Sequence, residues 1–192
     1  EILYFCDIIP ERADAAVAKY GCGKAVYDYR EVLADPAVEA ISICTPNKMH
    51  PTIAIDALRA GKHVLCEKPI TINYALSCEM AKEANQRGLM LNIGVCNRHH
   101  KSVEMLEQMY REGKFGNVYH VYASFRSFRS IPGLGGAFTT KSQSGGGVLI
   151  DWGVHFLDLV LYVLGGAKLK NVTCDTYCEM AKDMKSYKYG YM

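Results

Sequence analysis

A strand, a helix and a second strand follow one another in residues 40–69, AISICTPNKMHPTIAIDALRAGKHVLCEKP. The apolar runs 40–44 and 63–66 predict strands that are buried on both sides. Between them, the pattern of apolar residues over 48–59 predicts a helix, which Gly61 would end. Strands joined by a helix of this length are typical of βαβ units, because parallel strands need a long crossover. We therefore predict an α/β fold with a parallel sheet.

The same alternation extends on both sides of this unit. The predicted elements are a strand over 2–6, a helix from Pro10, a helix over about 73–86 before Gly88, and a strand over 89–95. A parallel sheet built in this way is expected to carry helices on both faces.

The second half of the chain has a different pattern. The predicted elements are a helix over 99–111, a long strand over 118–129, a Gly-rich connection over 132–147, an apolar helix over 148–164 and a strand over 172–180. Long strands around one apolar helix indicate a separate α+β domain. We place the break near Asn97, which predicts one domain over 1–97 and another over 98–192.

Composition limits the classes of function. The 192 residues include 22 Lys+Arg and 20 Asp+Glu, and a net charge of +2 is not that of a nucleic-acid or membrane-surface binder. The longest apolar run, 159–164, is too short to span a bilayer. The eight cysteines contain no CxxC pair, and Cys174 and Cys178 have no matching partners for zinc. We expect no metal and a reducing cytoplasm.

Ligands of open parallel sheets bind beyond the carboxyl ends of the strands, which directs attention first to Asp7. Its carboxylate could accept the ribose hydroxyls of a dinucleotide and repel a 2′-phosphate, favouring NAD over NADP, or it could be an ordinary loop or helix-cap residue. The Gly-rich phosphate loop normally lies about 20 residues before such an acid. The sequence starts six residues before Asp7 and has no GxGxxG. We expect the first strand, the phosphate loop and the first helix to be missing from it.

Two further strand ends carry polar residues. Asn47 could be the N-cap of the following helix, and His50 could face either the ligand crevice or solvent. Lys68, fixed between a strand and a proline, could hydrogen-bond a substrate hydroxyl and stabilise charge as a proton leaves. A surface salt bridge with Glu67 is the alternative for Lys68.

The apolar helix contains Asp151 and His155 at i,i+4 spacing, and Asp158 continues the same face. An almost wholly apolar helix is expected to be buried, and burying these groups costs several kcal/mol unless they are paired or used. A carboxylate beside an imidazole can fix its tautomer and tune its basicity, as a general base requires. A satisfied structural Asp–His pair is the alternative, and for Asp158 we favour a structural role.

Together these motifs resemble the glucose–fructose oxidoreductase / inositol dehydrogenase (Gfo/Idh/MocA) family of NAD(P)-dependent enzymes. The matching elements are Asp7 with Pro10-Glu11-Arg12-Ala13, Thr45-Pro46-Asn47 with His50, Glu67-Lys68-Pro69, and Gly145-Gly146-Gly147 with Asp151 and His155. The resemblance implies a Rossmann-type parallel sheet, N-terminally incomplete. An α+β domain with an open, largely antiparallel sheet for substrate binding and oligomerisation would follow. Family members continue beyond the position of Met192, so we expect that domain to be incomplete as well.

The resemblance implies roles for two groups of residues. In the catalytic group, Lys68 would contact nicotinamide and substrate, Asp151 would orient, and His155 would shuttle the proton. The cofactor-binding group comprises Asp7, Thr45, Pro46, Asn47, His50, Glu67 and Lys68. In that group, the aspartate would hold the adenosine ribose, and the asparagine and histidine would line the nicotinamide side.

The implied activity is hydride transfer between NAD, or less favourably NADP, and a secondary hydroxyl of a sugar, inositol or related polyol. One alternative is an NAD-dependent glycoside hydrolase that works through transient oxidation. Another is a non-catalytic NAD-binding sugar sensor, since fold does not determine function. The expected partners are a small-molecule substrate and further copies of the chain in a dimer or tetramer, with neither nucleic acid nor membrane.

Overall fold

Five short strands and four helices form the first part of the computed structural model, which describes residues 1–126 and 136–177. The strands are β1 (Tyr4–Cys6), β2 (Lys24–Val26), β3 (Ala40–Ile43), β4 (His63–Cys66) and β5 (Leu91–Ile93). The helices are α1 (Pro10–Tyr20), α2 (Tyr29–Ala34), α3 (His50–Arg59) and α4 (Tyr74–Arg87). β1 pairs with β2 and β4 pairs with both β3 and β5, all in parallel. The predicted α/β fold with a parallel sheet is confirmed.

Two of these elements, β2 and α2, were not predicted. Each is too short to show a period in its apolar residues. A local signal was nevertheless present, because Asp28 is a favourable N-cap residue and its carboxylate accepts a hydrogen bond of 2.9 Å from the backbone amide of Arg30.

Helix α4 begins and ends where turn chemistry predicts. The side chain of Asn73 caps its first turn by accepting hydrogen bonds from the amides of Ala75 and Leu76. Gly88 follows its last residue with φ of 66°, a left-handed conformation that glycine adopts without strain.

The prediction that Asn47 caps the next helix is wrong. Asn47 is instead the first residue of a 3₁₀ turn, Asn47–Met49, and α3 begins after that turn. The reason is the position of Pro51, whose fixed φ and missing N–H suit the first turn of an α-helix and place the helix start later.

The core of this part of the chain is the contact between α3 and the sheet. Ala54, Ala57 and Leu58 on α3 have no exposed surface, and they pack with Val64 and Cys66 of β4. Burying one leucine side chain contributes about 1.5–3 kcal/mol, so this face of α3 anchors the strands. Helix α4 adds two more buried residues, Met80 and Ala84.

The expected cover on both faces of the sheet is not found. Ser42, Leu65 and Asn92 lie side by side in the register of β3, β4 and β5, and all three are exposed. They project from the face opposite to the core, and no helix of the described residues buries this row.

Asp35, which follows α2, connects β1 to the α3–β4 turn. Its carboxylate accepts a hydrogen bond of 2.6 Å from the Tyr4 hydroxyl, and its backbone carbonyl accepts one of 2.7 Å from the ammonium of Lys62. The hydrogen bond from Tyr4 holds the pKa of Asp35 below its ordinary value. The carbonyl of Asp35 therefore gives the buried Lys62 a polar partner.

The chain divides into two compact units, residues 1–94 and the residues from Val95 onward. In the described part of the second unit, the helices are α5 (Lys101–Arg111), α6 (Lys141–Ser144) and α7 (Val154–Val163). Two 3₁₀ turns, Cys96–His99 and Ala137–Thr139, and a π turn, Leu149–Gly153, complete it.

The predicted sheet of the second domain is not present in the described residues. Residues 118–126 and 172–177 form no strand, and the remainder of each predicted strand lies outside the described residues, as does part of the Gly-rich connection. A strand exists only by pairing, because its amides and carbonyls need partners in a neighbouring strand. Neither described stretch has such a neighbour.

The expectation that the apolar helix is buried is also wrong for the described residues. His155 is the only buried residue of α7, whereas Leu157 and Leu161 are exposed. Apolar composition predicted burial, but burial requires a covering element. The segment Lys141–Val163 is also long and apolar enough to cross a membrane, a criterion that core helices of soluble proteins meet as well.

We predict that Cys66 resists alkylation in the folded protein. Its side chain has no exposed surface, and burial, followed by the neighbouring Glu67 carboxylate, raises the pKa of its thiol to about 12. Iodoacetamide at neutral pH, followed by peptide mapping, should label the exposed Cys22 and leave Cys66 unmodified until the protein is denatured. Equal labelling rates for both thiols would contradict the described packing.

Candidate active site

The carboxyl ends of β3, β4 and β5 meet at one edge of the sheet. The amide of Glu67 donates a hydrogen bond of 2.9 Å to the carbonyl of Ile43, and the amide of Gly94 donates one of 2.7 Å to the carbonyl of Cys66. These bonds continue the parallel ladders by one residue beyond the strands. The segments after β3 and β4, which contain the sequence-predicted residues from Thr45 to His50 and from Glu67 to Pro69, therefore start side by side.

His50 joins these two segments from inside the protein. Its ring has no exposed surface, with Nδ1 2.8 Å from the carbonyl oxygen of Pro69 and Nε2 2.9 Å from the carbonyl oxygen of Thr45. The structure thus places His50 behind the edge of the sheet, not at its surface. Asn47, in the 3₁₀ turn before it, is also buried, at 8% exposure.

Glu67 and Lys68 lie at the tip of β4. The backbone amide of Lys68 donates a hydrogen bond of 3.2 Å to Oε2 of Glu67, and the Lys68–Pro69 peptide is cis. A Cβ atom at position 94 would lie 3.2 Å from Oε1 of Glu67, so Gly94 leaves room for this carboxylate. Gly94 is a site residue that sequence reasoning did not single out, although a glycine directly after a strand is a signal of close approach.

Asp7 directly follows β1, in the two-stranded part of the first unit. One of its carboxylate oxygens accepts a hydrogen bond of 2.9 Å from the amide of Ile9, and the other lies 3.8 Å from the guanidinium of Arg12. The side chain is one-third exposed, so it retains accepting capacity toward solvent. The hydrogen bond from Ile9 is the kind that an ordinary loop residue makes, so the loop alternative accounts for one carboxylate oxygen. The other oxygen remains available to Arg12 or to a ligand.

Asp151 and His155, in the second unit, belong to different kinds of helical turn. Asp151 lies in the π turn, and His155 is the second residue of α7. The i,i+4 argument assumed an α-helix throughout, whereas a π turn contains more residues and rotates Asp151 relative to that geometry. Single-turn π segments inside helices are frequent at functional sites.

Two glycines lie against side chains of this π turn. A Cβ at Gly146 would lie 2.7 Å from Cγ1 of Ile150, and a Cβ at Gly153 would lie 2.6 Å from Cδ1 of Leu149. Both distances are shorter than a Cβ tolerates, so a larger residue at either position would require the contacting side chain to move. The triple glycine was recognised in the sequence, but the role of Gly153 was not.

An aromatic stack lies on one side of the buried His155. The ring of Trp152 lies 5.9 Å from the imidazole between centroids, and Phe125 stacks on Trp152 at 4.4 Å. Phe125 also contacts Phe156 at 5.3 Å. Burial beside an aromatic ring lowers the local dielectric, which strengthens the electrostatic interactions of this imidazole.

Asp158 is held by Arg98. The guanidinium donates two hydrogen bonds to the carboxylate, from Nε to Oδ2 at 2.7 Å and from Nη2 to Oδ1, and it also lies over the Tyr162 ring. The hydrogen bonds to Asp158 raise the pKa of Arg98. This contact agrees with a structural role for Asp158, and it joins the 3₁₀ turn Cys96–His99 to α7.

We predict that Arg98→Met lowers the free energy of unfolding by about 1–2 kcal/mol, because the half-buried Asp158 would lose both charge-assisted hydrogen bonds. Arg111→Met is the matched control, since its pair with Glu107 is a largely exposed i,i+4 contact worth less than about 0.5 kcal/mol. Urea titration measures both variants. Equal losses would show that the Arg98 pair has no special role.

The arrangement in the first unit fits a dinucleotide. The carboxylate of Asp7 after β1 and the polar segments after β3 and β4 lie at the carboxyl ends of strands, where open parallel sheets bind nucleotides. The partly exposed acceptor of Asp7 suits ribose hydroxyls, and Gly94 keeps the adjoining strand end free of a side chain. Among residues 1–126 and 136–177, no group of three or more His, Cys, Asp or Glu side chains could hold a metal ion.

Comparisons with known proteins agree with this arrangement. Residues 1–95 match the family model GFO_IDH_MocA, described as an oxidoreductase family with an NAD-binding Rossmann fold, and residues 103–185 match the model of the GFO/IDH/MocA C-terminal domain. D-glucoside 3-dehydrogenase of Escherichia coli is 31% identical over 99% of this chain and 54% of its own length. The chain thus spans about half the length of the curated relatives it matches.

Two solved structures share the fold. An NAD-binding protein from Listeria innocua has a TM-score of 0.74 and 33% identity, covering 85% of this chain and 47% of its own. Levoglucosan dehydrogenase in complex with NADH and levoglucosan has a TM-score of 0.73 and 26% identity, covering 85% and 44%. With both of its parts matched and its strand-end residues in the family's order, this chain belongs to the GFO/IDH/MocA oxidoreductase family.

Proposed function

We propose that this chain contributes cofactor binding and catalysis to an NAD-dependent dehydrogenase, which transfers a hydride between NAD and a secondary hydroxyl of a sugar, inositol or related polyol. The observation that carries the proposal is the shared edge of β3, β4 and β5, where Lys68 stands beside the segment from Thr45 to His50. The family of NAD-binding oxidoreductases to which the chain belongs supports the redox chemistry.

Three residues carry the proposed proton chemistry. His155 removes the proton of the substrate hydroxyl, and its burial beside the Trp152 ring limits the access of competing water. Lys68 stabilises the negative charge that grows on a substrate oxygen, since an ammonium interacts more strongly with an alkoxide than with an alcohol. Asp151 orients His155 and stabilises its protonated form. The nicotinamide, when bound, supplies the site that takes up or returns the hydride.

The proposed cofactor contacts come from the ends of three strands. Asp7 holds the adenosine ribose, and its negative charge favours NAD over NADP. The segment from Thr45 to His50 and the pair Glu67–Lys68 line the nicotinamide side. Within that segment, Thr45, Pro46 and Asn47 stand closest to the edge of the sheet, and His50 contributes from behind it.

The proposed substrate class follows the relatives, one of which is a D-glucoside 3-dehydrogenase and another a levoglucosan dehydrogenase. The free thiols of the described cysteines support a reducing cytoplasm. The exposed leucines of α7 support assembly into a homo-oligomer, because such a surface is stabilised when a second copy covers it.

The test is incubation of the protein with NAD and a panel of inositols, hexoses, anhydrosugars and aryl glycosides. We expect growth of NADH absorbance with at least one polyol or sugar. Aryl release without net NADH would replace the proposal with a glycoside hydrolase that uses NAD transiently. Tight NAD binding with no turnover of any compound would replace it with a sugar sensor.

We predict that His155→Ala lowers kcat by about 10²–10⁴-fold, because a positioned general base contributes that much, while the Kd for NAD changes less than about threefold. The matched control is His120→Ala, which removes an exposed imidazole elsewhere in the second unit. Steady-state kinetics and NAD titration measure both effects. Equal loss of kcat and of NAD affinity would contradict the role of His155 in proton transfer.

A further inference from the structure

We infer that the buried imidazole of His50 positions Lys68, by holding the segments after β3 and β4 together beyond the end of the sheet. The inference rests on the proposed function only in assigning chemistry to Lys68. The cross-link itself stands on the hydrogen-bond geometry of the first unit alone.

The first step is the bridge that the ring makes. Nδ1 of His50 lies 2.8 Å from the carbonyl oxygen of Pro69, and Nε2 lies 2.9 Å from the carbonyl oxygen of Thr45. Pro69 belongs to the segment after β4, and Thr45 belongs to the segment after β3. One imidazole therefore contacts the backbone of both segments.

The second step concerns the absence of solvent. The ring of His50 has no exposed surface, so water cannot replace its contact with either carbonyl. A buried carbonyl that loses its partner is unfavourable. Removal of either ring nitrogen therefore disturbs the segment whose carbonyl that nitrogen contacts.

The third step links this ring to Lys68. On one side of Lys68, the amide of Glu67 makes a ladder hydrogen bond of 2.9 Å to Ile43. On the other side, the carbonyl of Pro69 is bound by His50. Lys68 is therefore held between a backbone bond to β3 and a side-chain bond from the start of α3. Loss of the Nδ1 contact would release the second of these restraints and leave the first intact.

The positioning role is tested by variants that each keep one of the two contacts. In His50→Asn, the side-chain amide nitrogen replaces Nδ1 and can still donate to Pro69, whereas in His50→Gln it replaces Nε2 and can donate to Thr45. We expect His50→Gln to lower kcat by about 10–100-fold, a larger effect than its effect on the Kd for NAD, and His50→Asn to recover most of that loss. A purely structural role would affect both variants alike. Equal kcat values for the two would overturn the positioning role.

Two controls separate this inference from the proposed function. His63→Gln alters a partly exposed histidine at the opposite end of β4, where Nδ1 accepts from the amide of Met90, and it should leave kcat unchanged. Lys68→Met tests the catalytic role itself. If Lys68→Met leaves kcat unchanged, the proposed role of Lys68 fails. If it lowers kcat while His50→Gln does not, only the positioning role fails.

Discussion

The burial of α3 against β3 and β4 is the contact on which the candidate site depends. Ala54, Ala57 and Leu58 have no exposed surface, and the small side chains of the alanines let the helix approach the strands closely. This contact holds the parallel register in which the strands end at one edge. Because α3 begins at His50, the same contact also carries the imidazole to the position where it meets the carbonyls of Thr45 and Pro69. The packing of the core therefore also determines the geometry of the strand ends.

Buried polar side chains in the first unit are matched by backbone carbonyls. Lys62 donates to Asp35, and His50 lies between two carbonyl oxygens. A carbonyl brings no opposite net charge, so such a contact depends on the fixed position of the chain that carries it. In the second unit, the corresponding match is ionic, between Arg98 and Asp158. These contacts tie elements that are distant in the sequence, and they explain why polar residues occur at positions that the core would otherwise fill with apolar ones.

Much of the first unit could be predicted from local patterns, since short apolar runs, Pro10, Asn73 and Gly88 mark the element ends by steric and hydrogen-bonding rules that act over a few residues. Elements of three to six residues, such as β2 and α2, have too few residues to show a period. In the second unit, the apolar pattern correctly predicts a helix that ends near Val163. It does not predict the π turn from which that helix starts. In that turn, the side chains of Leu149 and Ile150 lie against Gly153 and Gly146. The spacing of apolar residues along the sequence does not predict such contacts.

By itself, the sequence determined the parallel α/β class, the family and the identity of the polar residues that follow the strands, because these depend on local periodicity and on the order of motifs along the chain. Only the tertiary structure decided which of those residues face outward and which are enclosed. His50 and Lys68 are equally polar in the sequence, yet His50 is fully buried behind the sheet edge and Lys68 is partly exposed at it. The reason is physical: exposure and hydrogen-bond partners depend on which segments the fold brings together, and these are separated by many residues in the chain.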